Sequence, residues 1–161
     1  VGSEMCIRDR IFAGEGPLED KIRTYASKHL PIQPVMKFYS RTELLEVLGS
    51  VDLYVHAAEI ELEAISCLEA ISCGLVPVIN NSPRSATKYF ALDDKNLFNC
   101  NNSKDLASKI DYWIGHPKEK EQRSLDYSDF AKQWEFDKCM DEMEKMITIC
   151  ANSKAHVQTT D

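Results

Sequence analysis

Short runs rich in β-branched and aromatic residues alternate with stretches of about ten residues at helical spacing, and this alternation constrains the fold more than any other feature. "RIFAGEGPLEDKIRTYASKH" reads as a strand, a turn over Gly14-Glu15-Gly16-Pro17, and a helix with Leu18, Ile22, Tyr25 and Ala26 on one face. "PVMKFYS" is a second strand, and Ser40 followed three residues later by Glu43 has the form of a capping box opening the helix "TELLEVLGS". "DLYVHA" is a third strand and "AISCLEAISC" a compact helix stopped by Gly74; "LVPVI" is a fourth strand with Pro77 near its start. "NLFNC" is a fifth. Such a chain builds a parallel sheet with helices on both faces, and ligands of these folds bind outside the carboxyl ends of the strands. That edge carries three candidate regions: Gly14 to Pro17, Tyr39 to Arg41, and His56 to Ala64.

From Asp105 onward the pattern is helical. It ends in "FDKCMDEMEKMITIC", where Phe136, Cys139, Met140, Met143, Ile147 and Cys150 keep helical spacing and form a core or domain-packing strip. Residues 151–161, "ANSKAHVQTTD", read as a frayed tail.

Size and charge narrow the function classes. A chain of 161 residues, 43% hydrophobic and 28% charged, is one soluble globular domain by length and composition. No apolar run approaches the roughly 18 residues of a membrane helix and the start is unlike a signal peptide, so the expected compartment is the cytoplasm. A net charge of -7 argues against nonspecific nucleic-acid binding and confines any phosphate site to a local pocket. Six cysteines without a C-x-x-C pair and four scattered histidines offer no zinc spacing; reduced thiols and no metal are expected. Residues 1–10, "VGSEMCIRDR", are set apart because "MCIRDR" resembles a translated sequencing adaptor. On that reading the natural protein begins upstream, the chain is a fragment, and its domain spans residues 11–150.

"EAISCL" and "EAISCG" nearly repeat between Glu63 and Gly74. A six-residue step turns a helix by about 600°, so the copies face different ways and are no structural repeat. Glu61 and Glu69 are eight apart, the first in a loop and the second about one turn inside a helix, so both can face one pocket at the helix start. Unpaired N–H groups there suit a diphosphate, and carboxylates suit sugar hydroxyls. The pair suggests a sugar–phosphate ligand. The turn at Gly14 and Gly16 lacks the third glycine of a dinucleotide fingerprint, so NAD binding is not supported. His56, at a strand end, reads as structural.

"EIELEAISCLEAISCGLVPVI" resembles the E-x7-E signature of glycosyltransferase family 4. "FAGEGPLEDKI" resembles the family's G-x-G-P turn and helix, and "ELLEVLGSVDLYVHAAEIE" the strand leading to the first glutamate; the likeness covers residues 11–115. It implies a GT-B fold, with this chain as its carboxyl-terminal half: a Rossmann-like α/β domain with C-terminal helices that binds a nucleotide-sugar. The implied enzyme is a retaining, metal-independent transferase of hexosyltransferase type, with the nucleotide-sugar as substrate and no cofactor.

Residue by residue, the resemblance assigns Glu61 to the donor sugar and the chemistry, and Glu69 to the ribose hydroxyls. Gly14 and Gly16 form the turn beside the pocket, Tyr39, Ser40 and Arg41 lie near the base, and Ala64 and Ile65 complete the donor set. Two departures stand out: Leu62-Glu63-Ala64 replace the family's "GFG", and the glycine usual after the second strand is absent. The implied partner is an N-terminal acceptor-binding half of the same protein, with the family's Arg and Lys phosphate ligands expected upstream of residue 11 and peripheral membrane association open to the whole protein. The fragment alone is expected to be inactive. Two rivals remain: a non-catalytic nucleotide-recognition or regulatory module on a flavodoxin-like sheet, which would not need Glu61 and Glu69 to converge, and a sugar-nucleotide epimerase, which the E-x7-E motif disfavours. Sugar, base and acceptor are not written in these residues.

Overall fold

The computed structural model describes residues 9–157, so most of the adaptor-like start and the last four residues lie outside the described residues. The chain divides into two compact units, one up to Ser50 and one from Val51.

The first unit contains β1 (Ile11–Ala13), α1 (Glu19–His29), β2 (Val35–Lys37) and α2 (Arg41–Leu48). The two strands pair in parallel, Ile11 opposite Val35 and Ala13 opposite Lys37, with α1 as the crossover. Gly14 extends the ladder by donating its N–H to Lys37 O at 3.0 Å with φ at +148°, a conformation cheap only for glycine. Leu18 precedes α1 and supplies no side-chain cap; Glu19 and Asp20 in the first turn and Lys28 and His29 in the last complement the helix dipole instead. The expected apolar face of α1 reduces to Ala26, which is 2% exposed. Leu18 falls outside the helix, and Tyr25, 65% exposed, lies against the His29 ring at 4.3 Å. The capping box of α2 forms in full: Glu43 N–H donates to Ser40 Oγ at 3.4 Å and Ser40 N–H donates to Glu43 Oε2 at 2.8 Å.

The second unit contains β3 (Tyr54–His56), α3 (Ile65–Ser72), β4 (Pro77–Asn81) and β5 (Leu97–Asn99), with 3-10 turns at Ala86–Phe90 and Asp94–Asn96 between the last two strands. Its strands form a parallel sheet in the order β3-β4-β5. The central strand is buried from Pro77 to Asn80, which is why "PVI" is continuously apolar rather than alternating. Pro77 occupies its first position, where a missing N–H is tolerated. Three helices follow: α4 (Ser103–Gly115), α5 (Pro117–Ala131, with proline in the first turn) and α6 (Phe136–Val157).

Val76, Val78 and Ile79 meet Cys67 and Ile71 of α3, Phe98 of β5, Trp113 of α4 and Tyr127 of α5 in one cluster. The two large aromatic side chains are fully buried because their polar atoms find partners: Trp113 Nε1–H donates to Lys95 O, and Leu92 N–H donates to the Tyr127 oxygen, both at 3.2 Å. Gly74 ends α3 at φ +80° and lets the chain turn directly into the buried Leu75 and Val76. α6 runs past Cys150, where the sequence pattern ends, and Phe136, Met140, Met143 and Ile147 along it are exposed. No helix among the described residues is long and apolar enough to cross a membrane.

Candidate functional site

In the first unit, Gly14 and Gly16 form the turn after β1, and a Cβ at either position would meet none of the described residues within 4 Å. The first turn of α1 behind them is acidic, which works against a diphosphate at that helix start. Of the three candidates after β2, Ser40 has both its hydroxyl and its N–H committed to the α2 cap. Lys37 sits 5.0 Å above the Tyr39 ring and 2.7 Å from Glu43 Oε1. The Lys37 ammonium, with the Ser40 contacts, pulls the Glu43 carboxyl down to about 2. Arg41 opens α2.

The second unit brings Glu61, Ala64 and Ile65 together at the start of α3. Glu61 lies in the loop after β3, joined to Ser85 by a single parallel bridge: its N–H donates to Arg84 O at 3.3 Å and its carbonyl accepts from Ala86 N–H at 2.9 Å. Further ties hold the same loop. Asn80 Nδ2–H donates to Ala57 O at 3.2 Å, the fully buried Ser82 hydroxyl donates to Glu59 O at 2.6 Å, and Arg84 pairs with Glu59. The loop is therefore fixed by the segment that leaves β4, although nothing in its own sequence announces this.

Glu61 turns back on the chain that follows it. Its Oε1 accepts from Leu62 N–H at 2.9 Å and Glu63 N–H at 3.4 Å. The N–H groups of Ala64 and Glu63 hold its carboxyl below the usual carboxylate range, with burial pulling the other way. Ala64, 1% exposed, caps α3 in the left-handed region at φ 55°, ψ 37°, and its carbonyl accepts from Cys67 and Leu68 N–H. That conformation is uncommon for alanine and explains why the glycine of the resemblance suits this position. Glu61, Leu62, Glu63, Ala64, Ile65 and Ser66 line an open concavity of about 390 Å³. Its rim carries two carboxylates and the exposed Leu62, so it suits a neutral polyhydroxyl group better than a diphosphate.

Glu69, half-buried one turn inside α3, is not among the residues lining this concavity. Both glutamates nevertheless bear on Tyr54, whose phenol is pushed up to about 12, first by burial and then by Cys67, Glu61 and Glu69, against the pull of Ser66. The Tyr54 hydroxyl lies 3.1 Å from both Ser66 Oγ and His56 Nδ1, and His56 Nε2 stands 4.0 Å from Glu61 Oε2. Sequence reasoning passed over Tyr54, Ser66, Asn80 and Ser82. The signal for the first pair is geometric: alternate residues of β3 share a face, and that face meets the first turn of α3. Among the described residues, no group of three or more His, Cys, Asp or Glu could hold a metal ion.

Comparison with known proteins bears on the family and the fold. The family described as "Glycosyl transferases group 1" matches residues 10–130. Among solved structures, the catalytic domain of cholesterol-alpha-glucosyltransferase from Helicobacter pylori is similar, with 48% sequence identity and a TM-score of 0.75 over 78% of this chain and 79% of that one. The α/β architecture, parallel sheets flanked by helices, matches a GT-B glycosyltransferase domain. No curated protein matches the chain.

Proposed function

Because the chain belongs to the group 1 glycosyl transferases, we propose that it is the donor-binding half of a retaining transferase that moves a sugar from a nucleotide-sugar to an acceptor held by a second domain. The observation that carries this reading is the concavity at the start of α3, where a carboxylate is braced by backbone N–H groups and the lining suits hydroxyls. Glu61 accepts hydrogen bonds from hydroxyls of the donor sugar and orients it for transfer, and Glu69 holds the ribose. The similarity to a protein named as an α-glucosyltransferase supports glucose as the sugar. An α-linked product from an α-linked nucleotide-sugar means retention at the anomeric carbon.

Titration calorimetry of the chain with UDP-, ADP- and GDP-glucose and the matching free nucleotides tests this. Loss of a hydrogen bond to a charged group costs about 1.5–3 kcal/mol of binding. Glu69→Ala is expected to weaken nucleotide and nucleotide-sugar alike, whereas Glu61→Ala weakens mainly the nucleotide-sugar. Equal and negligible effects would remove both assignments.

A further inference from the structure

His56 is a buried ionisable side chain to which the donor-binding reading gives no task. It is 6% exposed at the end of β3, and its buried Nε2 has no hydrogen-bond partner among the described residues. A buried polar atom is costly to leave unpaired, so such atoms are uncommon and call for a reason. The Glu61 carboxylate is the group it faces, with Oε2 at 4.0 Å, about 1 Å beyond hydrogen-bond length. Burial lowers the imidazole's affinity for a second proton against the pull of Glu61, so the ring is neutral at pH 7 and one nitrogen carries the proton. A bare Nε2 would set a lone pair against a carboxylate. The Nε2–H tautomer sets a donor against it and leaves Nδ1 as an acceptor 3.1 Å from the Tyr54 oxygen, whose one O–H can turn to Nδ1 or to Ser66 Oγ, also at 3.1 Å.

We propose that His56 is the positioning residue of Glu61: closing the gap lets Nε2–H hold one lone pair of Oε2 while the other lone pair of that oxygen is presented to a hydroxyl of the donor sugar. The inference rests on the reading of Glu61 as the sugar contact. In the structure Oε1 is tied to the N–H groups of Leu62 and Glu63, a local tether that does not by itself fix where Oε2 points. A second hold from a rigid, buried ring, itself braced by Tyr54, fixes the plane of the carboxylate before the sugar arrives.

The test combines calorimetry with imidazole ¹⁵N NMR on the whole chain. His56→Phe keeps the ring volume and removes the N–H; His56→Gln places an amide N–H near the same point. His56→Phe is expected to weaken the glucose nucleotide that binds by about tenfold and the free nucleotide by less than about twofold, and His56→Gln to bring affinity back to within about threefold. In a Glu61→Gln background His56→Phe should change nothing further. Parallel losses for nucleotide and nucleotide-sugar, or additive losses in the double variant, would overturn the role. NMR needs no ligand: the Nε2–H tautomer is expected in the free chain, and the Nδ1–H tautomer overturns the proposal even if the variants unfold. Failure of UDP-, ADP- and GDP-glucose all to bind, with the Nε2–H tautomer present, sinks the donor reading and the sugar half of the proposal with it. Binding with the wrong tautomer, or without a selective loss, sinks the role of His56 alone.

Discussion

Ser82 holds the Glu61 loop from a distance, and removing its hydroxyl has a cost that follows from two contacts. The side chain is fully buried; its Oγ donates to Glu59 O at 2.6 Å and accepts from Arg84 N–H at 3.2 Å. Each such bond contributes about 1 kcal/mol net, so Ser82→Ala should destabilise the second unit by about 2 kcal/mol. Glu59 and Arg84 are themselves exposed, so water can reach the freed carbonyl and N–H, which keeps the cost from rising toward that of two orphaned buried groups. Both tryptophans, Trp113 and Trp134, lie in the second unit, so urea unfolding followed by their fluorescence reports on that unit. The midpoint should fall with an unchanged slope. Because the loop carries Glu61, nucleotide-sugar binding should weaken more than nucleotide binding in the same variant. A stability loss below about 0.5 kcal/mol, the ordinary range for surface changes, would refute the view that the segment after β4 fixes this loop.

Two further outcomes are expected. Gly74→Ala places a Cβ 3.2 Å from Ser124 Oγ and 3.3 Å from Ser128 Oγ at φ +80°, and the left-handed conformation alone costs alanine about 1–2 kcal/mol; urea titration should show at least that loss, and an unchanged midpoint would contradict the assigned end of α3. The second concerns pH. Burial holds the His56 pKa below its ordinary value of about 6.5, so the unfolded chain takes up this proton first. The His56 contribution is thus complete above the unfolded pKa and lost as pH falls from there through the lower folded one. Unfolding free energies measured between pH 7.5 and pH 5 should decline less steeply in His56→Gln than in the parent, and identical slopes would show that the ring is not protected from protonation.

Features that close within a few residues were legible in the sequence. The α2 capping box needs only Ser40 and Glu43, the end of α3 needs only a residue that tolerates positive φ, and the start of β4 is marked by Pro77. Alternating strand and helix patterns likewise give the parallel pairing, because antiparallel neighbours would not need a helix between them. The spacing of Glu61 and Glu69 placed one before α3 and one within it. Which faces are buried was less visible. The pattern of α1 promised four apolar contacts, yet Ala26 is the buried one, since spacing tells which residues share a face but not what lies opposite. The site's framework came from tertiary structure alone. Asn80 and Ser82 each reach a carbonyl 23 residues upstream, and Tyr54 meets Ser66 across 12, distances set by sheet register and helix docking rather than by any local preference. The left-handed Ala64 belongs to the same class: alanine itself does not favour that conformation, and it occurs at the end of a loop tied to the segment after β4.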